Sequence, residues 1–219
     1  MKSLALVCAG ALCAASSAMG AIVEVNVVGS VDFNGINFGS FAGIPAGAPA
    51  SMSFLLDSNN YVDSTLFPTR GYVIDQSSFQ LTMGTMTVGM PNPFPAETPY
   101  FVVRDNDPAV DGFFLASTPD AGFPNGVPIN EGAIIDPLFR AIFNTSYEGT
   151  RLSSLDILGA VGTYDFSGLG SFNWGLEDAG IQPTGLIFDY WTISVVPAPA
   201  GVAIFGLAGM PLLRRRRVG

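Results

Sequence analysis

The chain predicts an antiparallel all-β domain, a jelly-roll-like β-sandwich, on three observations. Short runs of β-branched and aromatic residues, several with apolar and polar positions alternating, recur through its middle. Turn residues separate them: Asn-Gly pairs at Asn34-Gly35 and Asn125-Gly126, and the proline cluster MPNPFPAETP from Met90 to Pro99. Of the 219 residues 48% are hydrophobic and only 12% charged, so a core is easily filled and disorder is excluded. No linker or internal repeat divides the middle. The expectation is therefore one domain over residues 22–195, between a signal at 1–21 and a tail at 196–219.

The first segment has a basic start at Lys2, an apolar run and small residues around a cut, which together make a helical secretory signal. A cut after Gly20 puts Ala18 and Gly20 at the two positions that must be small, and a cut after Ala21 serves nearly as well. Export removes Cys8 and Cys13, the only cysteines, and Lys2, the only lysine, so the mature chain can form no disulfide. The predicted strands follow at Val23–Phe33, Ser51–Asp57, Ser78–Met90, Tyr100–Arg104, Gly112–Ser117 and Leu186–Val196. Two stretches have helix-compatible spacing but read equally as strand. They are Asp136-Pro137 opening Leu138–Asn144, and Arg151–Ala160.

The tail has three parts. Pro197 and Pro199 favour extended backbone, so Val196–Ala200 is presented as an unpaired strip. Ala200–Leu213 is wholly apolar, and as a transmembrane-like helix it would be about 21 Å long against a hydrocarbon core of about 30 Å. Arg214, Arg215, Arg216 and Arg217 would hold the end on the cytoplasmic side. This order, with Val196-Pro197-Ala198-Pro199 as the motif, resembles the PEP-CTERM sorting signal of bacterial exported proteins, although Ala198 stands where that family usually has Glu. The resemblance implies cleavage near the Pro-x-Pro by an exosortase-type membrane enzyme after passage through the secretion machinery. Placement at the cell surface or in the exopolysaccharide matrix would follow, with membrane contact only through the tail before processing.

Charge narrows the partners. Only Arg70, Arg104, Arg140 and Arg151 stand against all 18 acids between Glu24 and Asp189, a net charge of −14 that repels nucleic acid and anionic membranes. With no His, and no Cys or Lys after export, the usual nucleophile–base pairs and histidine-ligated zinc are excluded, which leaves only carboxylate chemistry of the glycosidase kind. No catalytic residue is assigned, no cofactor is expected, and the expectation is a non-catalytic structural or adhesive protein.

Two alternatives concern binding. Asp105, Asp107 and Asp111 take the first, third and seventh places of a calcium-loop count, but Ala109, Val110 and Ala116 break the pattern. The same residues also read as a solvated hairpin connection. Trp174, beside Glu177 and Asp178 in a Gly-rich setting, reads first as core and otherwise as the candidate for stacking on a sugar, and Trp191 reads as core.

Overall fold

The computed structural model describes residues 20–95, 98–106, 110–118 and 124–197. Among these residues twelve strands form one antiparallel sheet: β1 (Ile22–Asn34), β2 (Pro49–Asp63), β3 (Thr69–Ile74), β4 (Gln80–Met83), β5 (Met86–Val88), β6 (Tyr100–Arg104), β7 (Val110–Ala116), β8 (Val127–Gly132), β9 (Leu138–Glu148), β10 (Gly162–Tyr164), β11 (Leu169–Asp178) and β12 (Ile181–Val195). Eight of them close on themselves in the order β1, β2, β3, β6, β7, β9, β11, β12 and back to β1. That order is the chain order, so the fold is an up-and-down barrel. The short strands extend its wall: β3 and β4 run successively along β2, while β7 and β8 run successively along β9.

The closed barrel replaces the expected sandwich. Both architectures bury one face of every strand and so require the same alternation. Val23, Val25, Val27 and Val31 point inward along β1 as that alternation demands. What decides between them is that the long β1 pairs with β2 on one side and with β12 on the other. That long-range pairing leaves no mark in the local pattern.

Eight strands leave an interior wide enough for side chains to fill, and here aromatic rings fill it. Phe101 packs on Phe113 at 5.8 Å between ring centroids, Phe113 on Trp191 at 4.8 Å, and Trp191 stacks on Tyr164 at 4.2 Å. Phe188 and Trp191 both face inward although three positions apart, because a bulge skips Asp189 between the partners Val28 and Gly29. Gly29 suits that bulge, since a β-carbon there would collide with the Ile187 carbonyl.

Each pole of the barrel is covered by a loop tied to wall residues. Over the pole where the chain enters β1 and leaves β12, residues 149–161 are held by Tyr72, whose hydroxyl donates to the Leu155 carbonyl (2.8 Å) and accepts from the Ile157 N–H (2.9 Å). The buried Asp111 carboxylate accepts from the Leu152 N–H at 2.6 Å. At the distal pole Asn34 donates to the carbonyls of Phe41 (2.8 Å) and Ile44 (3.1 Å), folding residues 35–48 over the opening.

Neither helix-compatible stretch is an α-helix. Leu138–Asn144 lies in β9, and Arg151–Ala160 lies in the covering loop with a 3-10 turn at Ile157–Ala160. Among the described residues there is no α-helix, and no helix is long and apolar enough to cross a membrane. Residues 1–19 of the expected helical signal (1–21) and the whole transmembrane-like helix (Ala200–Leu213) lie outside the described residues, while Gly20 and Ala21 are described and not helical.

Candidate functional site

The barrel is closed by its own ends. Val23 faces Val195 across the β1–β12 ladder, and the Val196 N–H donates to the Ile22 carbonyl at 2.8 Å as its last rung. Pro197 has no N–H and cannot add another. On the other side of β1 the Ser58 N–H donates to the Ala21 carbonyl at 3.0 Å, so Ala21 already belongs to the folded body. The entering and leaving chains therefore stand side by side at one pole. Of the sorting motif, Val196 and Pro197 are described and exposed; Ala198, Pro199 and Arg214–Arg217 lie outside the described residues.

The acidic candidates come together in part. Asp105 and Asp111 sit on facing ends of the β6–β7 hairpin, and Asp107 lies outside the described residues. Burial and the neighbouring Asp111 carboxylate raise the Asp105 pKa above its usual range. Asp111 is fully buried and already accepts from the Asn106 N–H (2.9 Å) and the Leu152 N–H (2.6 Å). Its carboxylate thus holds the hairpin to the covering loop. Among the described residues no group of three or more His, Cys, Asp or Glu is gathered where it could hold a metal ion.

The carbohydrate candidates do not form one site. Trp174 is 1% exposed and packs edge-on against Phe143 at 6.5 Å, so neither face of its indole is open to a sugar. Glu177 accepts from the Gly180 N–H across the β11–β12 turn. The buried Asp178 carboxylate accepts from three successive backbone N–H groups, those of Ile134, Ile135 and Asp136, at 2.8–3.1 Å. Burial acts to raise its pKa, but those donors prevail and hold it below the usual range. Its role here is to fix the loop that carries the exposed Ile134 and Ile135 at the distal pole.

A surface cleft of about 170 Å³ escapes the sequence reading. It lies where β11 and β12 diverge beyond the Gly175–Gly185 pair. Phe33 (48% exposed) and Phe172 (36%) flank it, with Asp32 and the amides of Asn173 and Gln182 between them. Gln182 donates to the Asn173 Oδ1 at 2.9 Å, which fixes both amides. No local signal joins these residues, because β1, distant in sequence, supplies Asp32 and Phe33 to the β11–β12 hairpin.

The body's arginines are tied to the protein itself. Arg70 pairs with Asp63, Arg104 donates to Ser146, Arg140 donates to the carbonyls of Asn125 and Gly126, and Arg151 lies over the Tyr147 ring. No protein-family model matches the chain, nor does any curated protein or solved structure.

Proposed function

We propose that the protein is exported, directed by its C-terminal tail to the cell surface or exopolysaccharide matrix of a bacterium, and serves there as a non-catalytic structural or adhesive barrel. The observation that carries this reading is the finished ladder at Val196. Among the described residues the ladder's last bond is at Val196, and Pro197 has no N–H to extend it, so the reading is that an exosortase-type enzyme takes the proline strip that begins there. Cleavage there would remove the apolar run and the four arginines without breaking a rung. The proposed transit is export by the secretion machinery, retention in the membrane through the apolar segment, then release or attachment.

The test is fractionation of the producing cell expressing the whole chain or a chain ending at Pro197. The whole chain is expected in the surface and matrix fraction, and the shortened one folded but free in the medium. Identical distribution of the two would contradict the reading.

A second reading, recognition of a neutral glycan, rests on the cleft between β11 and β12. Rings able to cover a sugar face stand beside two amides and a carboxylate that bind hydroxyls, and no basic group lines the cleft to favour an anion. Binding of the producer's own polysaccharide, weakened at least fivefold by Phe33→Ala together with Asn173→Ala, would support it. Equal binding by that variant would remove it.

A further inference from the structure

The pole from which the tail leaves also contains a pocket of about 340 Å³ beside the first residue of β1. Ile22, Leu56, Val73 and Ile74 form its apolar part, and Asp57 and Asp75 supply carboxylates. No basic side chain lines it, and among the described residues none pairs with either acid. Asp57 Oδ1 accepts from the Asn59 N–H at 2.8 Å, and Asp75 Oδ1 accepts from the N–H and hydroxyl of Ser77 at 3.0 and 2.7 Å. Each carboxylate therefore retains accepting capacity beyond these bonds.

The Asp57 side chain folds back over Gly20. A β-carbon at Gly20 would collide with Asp57 Oδ1 and stand 2.9 Å from the Ser58 hydroxyl and 2.8 Å from the Asn59 nitrogen. The peptide bond joining Gly20 to Ala21 is thus within reach of a carboxylate, while Ala21 itself is already held to Ser58. Resting on the export reading above, we infer that this acidic pocket is an amine-binding site whose ligand is the chain's own α-ammonium, freed at Ala21 by cleavage after Gly20. Water adds across the bond: its hydroxyl goes to the Gly20 carbonyl, leaving as part of a carboxylate on the departing signal. The amine of Ala21 gains a proton and, with a second from solvent, becomes a cation.

The new charge emerges beside Asp57, which among the described residues has no basic partner. Asp57 from β2 lies against Gly20, and Asp75 from the turn after β3 lines the same pocket as Asp57 and Ile22; Glu24 follows on β1, and Val195 and Val196 on the β12 side are uncharged. An opposite charge close to the new amine favours the ammonium and raises its pKa, and Asp57 Oδ1, which a β-carbon on Gly20 would meet, is the nearest such group the structure places there. A raised pKa means the stabilisation is fully present below the unfolded α-amino value and is lost as pH rises through the folded one. Ile22 also accepts the last rung from Val196, so the same two residues anchor the newly cut N-terminus and the departure point of the tail. Removal of the signal thereby secures the strand from which the tail is presented.

The mature chain offers an unusually clean test. Lys2 is its only lysine and leaves with the signal, so the α-amino group is the sole amine. Mature protein from its own producer is first weighed intact, which fixes the N-terminal residue. It is then dimethylated with ¹³C-formaldehyde, which keeps the charge, and the single methyl resonance is followed with pH. The expected midpoint lies at least about 0.5 above the ordinary α-amino range of about 7.7–8.0, returning to that range in Asp57→Asn and moving part of the way in Asp75→Asn. Molar salt should reduce the difference. A mass that places the start elsewhere overturns the cut after Gly20. An Ala21 start with an ordinary midpoint in the unsubstituted protein overturns the amine site while leaving the export reading intact.

Discussion

Tyr72→Phe isolates the fastening of the loop that covers the pole where the chain enters β1 and leaves β12. The substitution keeps the buried ring and removes one oxygen that serves two partners, donating to the Leu155 carbonyl and accepting from the Ile157 N–H. A net hydrogen bond contributes about 1 kcal/mol, and a buried N–H left without a partner costs about 1–3 kcal/mol. Ile157 is fully buried, so water cannot replace the hydroxyl without the loop opening. The expected loss is about 3 kcal/mol, which for a body of this size lowers Tm by roughly 6–12 °C. Urea unfolding followed by tryptophan fluorescence would read it as a lower midpoint with an unchanged slope, and amide exchange would quicken first at Leu152–Ala160. A loss below about 1 kcal/mol with unchanged exchange at Ile157 would refute the view that Tyr72 secures the loop.

Other outcomes follow from the same geometry. Because Asp178 has a depressed pKa, its contribution to stability is present above the unfolded value near 3.9 and is lost as pH falls through the lower folded one. Asp178→Asn should accordingly flatten the acid limb of a pH–Tm curve; an unchanged limb would count against the clamp. Asp105 shifts the opposite way, so it costs stability as pH rises through its raised value, and Asp105→Asn should increase Tm at neutral pH in calcium-free buffer. A calcium ion bridging Asp105 and Asp111 would instead make that variant less stable than the parent in millimolar calcium. Both tryptophans are buried, so emission should be blue-shifted and resist acrylamide until unfolding, whereas a readily quenched half of the signal would place Trp174 at the surface.

Strands were most legible where a single buried face imposed alternation over many residues. Tyr100–Arg104 coincides with β6, and Val23–Phe33 lies within β1. Ser78–Met90 contains two strands, turned at Gly84, whose φ of +60° only glycine adopts freely. The Asn-Gly pairs do separate strands, as read: Asn34 ends β1 and fixes the distal loop, and Asn125-Gly126 directly precedes β8. The tight turn between β11 and β12 uses Ala179 (φ +50°) and Gly180 (φ +83°), a pair without the usual Asn or Asp. β11 itself was missed, since polar and glycine residues dilute its pattern.

The candidate sites divide in the same way. Sequence spacing brought attention to Asp105 and Asp111, which do meet, because a hairpin joins them locally. It could not settle Trp174 between core and sugar platform, because burial of an indole in a Gly-rich strand depends on Phe143, its partner on the neighbouring strand β9. It could not see that Asp178 would meet backbone donors from residues 134–136, or that Asp57 would close over Gly20, since both depend on pairing between distant strands.

The most direct test of the central claim is the intact mass of the mature protein recovered from surface and matrix fractions of its own producer. The account predicts a chain that begins at Ala21 and ends between Pro197 and Ala200, with the barrel whole and the arginines gone. A chain that retains Arg214–Arg217 and sediments with membranes would contradict it, leaving the tail as an unprocessed anchor.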